Sequence, residues 1–108
     1  MQEVTTINEL QQFLQANPLA IVYISSPNCS VCTVDKPRTR ELAQTLAVPM
    51  IEVNAANAPE IRGQFNLFTA PVVLVFLAGR EIYRGARIID FAELSYRLKQ
   101  AQASLEEP

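Results

Sequence analysis

Leu19-Ala20-Ile21-Val22-Tyr23-Ile24-Ser25-Ser26-Pro27-Asn28-Cys29-Ser30-Val31-Cys32 is the stretch that decides the fold. Leu19 to Ser25 is a continuous apolar run rich in β-branched residues. Such a run marks a strand buried on both faces, as in a parallel sheet. Ser26-Pro27-Asn28 carries turn chemistry. From Cys29 to Ala47 the pattern is helical, with Pro37 inside it. A proline there lacks an N–H and is expected to kink the helix. A buried strand, a turn and a Cys-x-x-Cys that opens a helix therefore follow one another directly.

Outward from this stretch the pattern alternates. Thr6 followed by Glu9 predicts a capping box. Ile7, Leu10, Phe13 and Leu14 then recur at helical spacing, and Asn17-Pro18 stops the run. Beyond Ala47, Met50 to Asn54 reads as a short strand. Ala58 to Phe65 reads as a short helix with Pro59 in its first turn. Val72 to Ala78 and Glu81 to Gly85, joined by Gly79-Arg80, read as a hairpin. Asp90 with Glu93 starts a last helix carrying Phe91, Leu94 and Leu98. The polar tail from Ser104 to Pro108 is expected to fray. Strands alternating with helices imply βαβ units and a parallel portion of sheet, with an antiparallel strand from the hairpin. Gln2 to Val4 is a candidate fifth, edge strand. The expected architecture is an α/β domain: a central mixed sheet of four to five strands flanked by helices. At 108 residues, with no repeat, linker or low-complexity segment, the chain reads as a single domain over 1–108.

Composition narrows the chemistry. The chain is 49% hydrophobic and 19% charged with a net charge of −2, a globular balance. The acidic balance argues against a nucleic-acid surface, whose affinity comes from basic clusters. Two cysteines and no histidine cannot supply the four ligands of a structural zinc site. Ser–His and Cys–His catalysis is excluded as well. Met1 to Thr6 shows no basic and apolar leader pattern, and the apolar run Ala70 to Ala78 is too short to span a bilayer. The expected location is the cytoplasm, where a cysteine pair points to catalysis or metal binding before a static staple.

Cys29-Ser30-Val31-Cys32 carries that chemistry. Two intervening residues put both sulfurs on one helical turn, close enough for a small disulfide. Cys29 falls at the helix N-terminus, where free N–H groups and the positive dipole end favour an anion. A thiolate there has a lowered pKa and is the attacking species. Cys32, one turn deeper, is placed to resolve a mixed disulfide.

With these residues in place the chain resembles the thioredoxin family over nearly its whole length. Ile21 to Ile24 is similar to the strand that feeds the family's active site, and Cys29 and Cys32 fall where its redox pair falls. Pro37 matches the helix-kinking proline, Ala70-Pro71 the cis-proline facing the cysteines, Gly79 the hairpin glycine and Gly85 the glycine ending the last strand. The resemblance implies a thioredoxin fold and a thiol–disulfide oxidoreductase that reduces protein disulfides. It implies Cys29 as nucleophile, Cys32 as resolving thiol and Pro71 as a substrate-groove residue. Ala70, Pro27, Asn28 and Phe68 are the expected neighbours in that groove. A thioredoxin-reductase-type donor is the implied electron source and a monomer the expected state. No bound cofactor or metal is needed, because the dithiol itself carries two electrons. Thr69-Ala70-Pro71 is also similar to the tripeptide beside which glutaredoxins bind glutathione. Phe76-Leu77-Ala78-Gly79 stands where glutaredoxins carry a glycine pair, so glutathione specificity is not expected.

The departures from the family pattern are specific. Pro27-Asn28 replaces the usual tryptophan before the first cysteine, and Ser30-Val31 replaces Gly-Pro between the two. These positions tune thiolate stability, so a shifted redox potential is expected. The family's buried aspartate falls at Tyr23 and its partner lysine at Glu52. Glu52 is the only charge from Met50 to Ala56 and lies in a predicted central strand. A buried, unpaired carboxylate would have a raised pKa, which makes Glu52 a candidate acceptor for the Cys32 proton, hydrogen-bonded to Tyr23. The competing reading is that its side chain escapes to solvent or pairs with a neighbour.

Asp35 and Thr39 lie four apart on the long helix, on a side shared with Val31 and Leu42. They read either as a second polar group near the site or as a solvated stripe, and the stripe is the default. Lys36, Arg38 and Arg40 among Asp35 and Glu41 read as an exposed face of mixed sign. Phe65, Phe68, Phe76, Tyr83, Phe91 and Tyr96 have core-like spacings, with Phe68 a candidate for the groove as well. Two other functions stay in view. One is a redox-inert interaction module that kept the fold. The other is a metal or iron–sulfur site shared between two chains.

Overall fold

A computed structural model describes residues 3–106. Thr6 caps helix α1 (Ile7–Ala16) with both halves of the expected capping box. Strand β1 (Leu19–Ser25) leads to helix α2 (Ser30–Leu46), and strand β2 (Met50–Asn54) follows. A 3₁₀ turn (Ala55–Asn57) and the short helix α3 (Pro59–Gln64) connect to the hairpin of β3 (Val72–Leu77) and β4 (Arg80–Ala86). Helix α4 (Phe91–Glu106) closes the chain. Ser104 to Glu106, expected to fray, continues α4 as helix. Among the described residues no helix is long and apolar enough to cross a membrane.

The sheet order is β2-β1-β3-β4. β1 and β2 are parallel, while β1 with β3 and β3 with β4 are antiparallel. The fifth strand is not built: Glu3 makes an isolated parallel bridge with Glu52, and the Val4 N–H donates to the Glu52 carbonyl at 2.9 Å. Gln2 lies outside the described residues.

β1 explains the layering, a sheet between helices with a core on each face. Successive side chains of a strand point to opposite faces. Ala20, Val22 and Ile24 pack with Leu10, Leu14 and Ile61 in one core. Leu19, Ile21 and Tyr23 pack on the other face with Cys32, Ala43, Leu94 and Leu98. All seven positions of β1 are buried because helices cover both faces. Each fully buried Leu or Ile contributes about 1.5–3 kcal/mol of hydrophobic burial, so these two layers dominate the stability. Phe65 and Phe76 meet edge-to-face at 6.0 Å within the first core. Tyr96, expected to pack, is exposed on α4.

α2 runs as one helix through Pro37 and ends at Ala47, which adopts a left-handed conformation with φ 56°. Its N–H donates to the Ala43 and Gln44 carbonyls and so closes the helix. A Cβ is disfavoured in this region, whereas glycine is at ease there. Ala47→Gly is expected to raise the unfolding free energy by about 1 kcal/mol. A urea midpoint shifted upward with an unchanged slope checks it.

Candidate active site

The redox pair sits where β1 hands over to α2. Cys29 is the N-cap residue of α2, with extended backbone angles. Its Sγ accepts a hydrogen bond from the Cys32 N–H at 3.2 Å, taking the place that a serine or aspartate oxygen usually fills. Cys29 and Cys32 form a disulfide across a Cα–Cα distance of 5.3 Å. Exposure separates the two sulfurs. Cys29 is partly exposed, while Cys32 is 5% exposed and belongs to the core under α2. The outer cysteine is reachable by a macromolecular disulfide and the inner one only by its neighbour.

The Ala70–Pro71 bond is cis, as the resemblance implied. Pro71 is buried, and its carbonyl accepts the Arg87 N–H at 2.9 Å. Beside the cysteine turn lies a groove of about 450 Å³ to which Pro27, Phe68, Ala70, Leu67 and Arg62 contribute. Phe68 is 76% exposed, so its apolar ring lines this groove and not the core. Asn28 is exposed next to Cys29, and Val31 and Val34 add exposed apolar surface on the first turns of α2.

Beneath the cysteines the electrostatics differ from expectation. Glu52 is not the lone buried acid. Its carboxylate is held by Lys36 at 3.0 Å and by Arg40 at 2.9 Å. Burial pushes this carboxyl up, but the hydrogen bonds and charges of Lys36 and Arg40 outweigh it and hold it below the ordinary value. The raised pKa and the Tyr23 partner anticipated from sequence are thus replaced by pairing with neighbours one and two turns along α2. The reason lies in packing. Lys36 and Arg40 are four residues apart, so both reach the same point on the strand beside them. They do not form the free, solvated face that their mixed signs suggested. Arg38 points elsewhere, its guanidinium 4.1 Å above the Phe91 ring.

The sign of this pairing is testable. A carboxyl whose folded pKa lies below its unfolded value contributes stability in full above the unfolded value, near 4.5. The contribution fades as pH falls through the folded value. Glu52→Gln is expected to flatten the loss of stability between about pH 5 and pH 3. Urea unfolding across that range measures it, and an unchanged slope would contradict the pairing.

Tyr23 is fully buried, and its hydroxyl has no hydrogen-bond partner. Burial, with the negative charges of Asp35 and Glu52, pushes its pKa far up. The phenol therefore stays neutral across the physiological range.

For Asp35 and Thr39 the solvated stripe was the default reading, and the structure overturns it. Asp35 is 8% exposed, and Thr39 is fully buried, so the stripe is not solvated. The buried residues of α2 are Cys32, Asp35, Thr39 and Ala43, whereas Val31 is 47% exposed. The spacing of three, four and four residues from Cys32 was the available signal. Once Cys32 faces the sheet, Asp35 and Thr39 must as well.

An N-cap cysteine disulfide-bonded to a buried cysteine one turn on defines a dithiol thiol–disulfide oxidoreductase. Residues 2–98 match the thioredoxin family. The chain is 35% identical over 104 residues to the Thioredoxin-like protein YdfQ of Bacillus subtilis, with 93% of each chain covered. Among solved structures, Plasmodium falciparum thioredoxin superposes with a TM-score of 0.82 at 22% identity, covering 93% of this chain and 98% of that one. Fasciola hepatica thioredoxin superposes with a TM-score of 0.84 at 17% identity, covering 94% and 99%. The chain belongs to the thioredoxin family.

Proposed function

We propose that this protein reduces disulfides of protein substrates in the cytoplasm, as a monomeric single domain recharged by a thioredoxin-reductase-type donor. The observation that carries the reading is the unequal exposure of two bonded cysteines at the start of α2. In the reduced protein the Cys29 thiolate, favoured by the helix N-terminus, attacks one sulfur of a substrate disulfide. The substrate S–S bond breaks, a mixed disulfide forms, and the first substrate thiolate leaves and takes a proton. Cys32 then gives up its proton and attacks the Cys29 sulfur. The Cys29–Cys32 disulfide closes and the second substrate thiol is released. The substrate gains two electrons and two protons, and the dithiol loses them, so no bound cofactor is required.

The groove supplies recognition in this reading. Phe68, Pro27 and Ala70 offer apolar contact where the family's tryptophan is missing, Asn28 borders Cys29, and Pro71 faces the substrate backbone. Arg62 sits at the same groove without an ion-pair partner among the described residues, which suits a substrate segment bearing an acidic side chain.

The test joins turnover and potential. Insulin disulfide reduction with dithiothreitol as donor is expected for the wild type and absent for Cys29→Ser. Titration against glutathione is expected to give a potential nearer the roughly −270 mV of a reductase than the roughly −120 mV of an oxidant. No exchange in the wild type would leave a redox-inert module, and a value at the oxidising end would reverse the direction of electron flow.

A further inference from the structure

Resolution of the mixed disulfide needs a home for the Cys32 proton. Two candidates suggested by position are removed by their surroundings. Tyr23 stays neutral and accepts no proton at physiological pH. Glu52 already holds two cations. Asp35 remains. It lies three residues beyond Cys32 on the same buried stripe of α2, a spacing that puts side chains about 5–6 Å apart at Cβ.

Among the described residues Asp35 is the one charged side chain that is buried, and no ion pair involves it. The Thr39 hydroxyl donates at 2.8 Å to the Asp35 backbone carbonyl, leaving the carboxylate free. Aspartate is a poor helix former. Stability therefore offers no reason for aspartate at this position, whereas proton transfer does. Its charge also reaches the unpartnered Tyr23 hydroxyl, which is the donor on β1 available to a carboxylate on this stripe.

We propose that Asp35 accepts the proton of the Cys32 thiol as Cys32 attacks the mixed disulfide. This rests on the exchange reaction proposed above. The Cys32 S–H bond breaks and its proton passes to the Asp35 carboxylate. The Cys32 electron pair forms the bond to Cys29 Sγ, and the Cys29–substrate S–S bond breaks. The departing substrate thiolate takes up a proton, and Asp35 returns its own to solvent. The acid of this site then sits on the helix that carries the cysteines, and not on the strand below.

The groups that face Asp35 are few. Tyr23 comes from β1, and Glu52 from β2 with its charge already answered by Lys36 and Arg40. β3 brings Val73, Val75 and the partly buried Leu77 to this core, β4 brings the titratable Tyr83, and α4 brings Phe91, Leu94, Leu98 and Ala101. Cys29, Cys32 and Tyr83 are the remaining ionisable side chains of this layer, and Cys32 is the one three residues from Asp35 on the same stripe of α2.

Stopped-flow reaction of the reduced protein with Ellman's disulfide separates the two steps. The first thionitrobenzoate release reports attack by Cys29, and the second reports resolution by Cys32. Near pH 7, Asp35→Asn is expected to slow the second release about a hundredfold, the low end of general-base effects, and to leave the first within about twofold. The deficit is expected to shrink as pH approaches the ordinary thiol value of about 8.5. Asp35→Glu should restore part of the rate. A second release within twofold of wild type, or equal slowing of both, would overturn the proposal. Should Asp35→Asn fail to fold, Asp35→Ser is read by the same two releases, with the same outcomes supporting or overturning the proposal. Absence of both releases in the wild type would instead remove the exchange reading, and this proposal with it.

Discussion

Cys32→Ser is expected to convert the protein into a covalent trap. The nucleophile is untouched, because Cys29 keeps its N-cap position and partial exposure. Attack on a substrate disulfide proceeds and the mixed disulfide forms. Nothing then closes the reaction, because the serine hydroxyl at this position does not attack sulfur. Turnover of insulin is expected to fall by at least about a thousandfold, since exchange then waits on slow external thiol. The substrate remains attached through Cys29 until reductant is added. Mass spectrometry of the complex formed with a peptide disulfide reads this directly. Release without reductant would mean that a sulfur other than Cys32 resolves the intermediate, and Cys29 and Cys32 are the only two in cysteine side chains. Proximity makes the effect large. Cys32 sits in the core within one helical turn of Cys29, so intramolecular attack by its sulfur outpaces any external thiol, and its loss removes that fast route.

Tyr23 is expected to split by atom. Its ring fills the core on the α2 face of β1 beside Cys32, Ile21 and Val73. Tyr23→Ala removes a fully buried aromatic ring, and such truncations cost about 3–5 kcal/mol. That is a large share of the stability of a domain this size. The hydroxyl has the opposite sign. It is buried without a partner, and an unsatisfied buried polar group costs about 1–3 kcal/mol. Tyr23→Phe keeps the ring and deletes the orphan. The oxidised variant is expected to be more stable than wild type by about 1 kcal/mol. Urea unfolding of both variants with the disulfide closed measures the pair. A destabilised Tyr23→Phe would show that the hydroxyl is satisfied in solution.

Most of the fold was legible because its determinants are local. The unbroken apolar run of β1 announced a strand covered on both faces, and helices lie on both faces. Thr6 with Glu9 announced the start of α1, and both halves of the cap are present. The cysteine pair was legible for the same reason. A turn followed by Cys-x-x-Cys at a helix start places an N-cap thiol and a deeper partner by backbone geometry alone.

Charge was not legible in this way. Glu52 was expected in a central strand, but β2 is an edge strand of the described sheet, and the partners of Glu52 lie more than ten residues away on another element. Only packing of α2 beside β2 brings Lys36 and Arg40 onto one carboxylate. Phe68 was placed both among the core-like aromatics and at the groove, and its loop holds the ring out over the groove. Asp35 shows the boundary most sharply. Helical spacing tied it to Cys32, but spacing states only that two residues share a face, not which face is buried. The sequence by itself determined the order of elements, the two-sided burial of the central strand and the redox pair at its end. The tertiary structure alone decided which carboxylate is neutralised and which has no ion-pair partner on the buried stripe of α2. Electrostatic environment depends on what a side chain meets across the fold, and no local pattern carries that information.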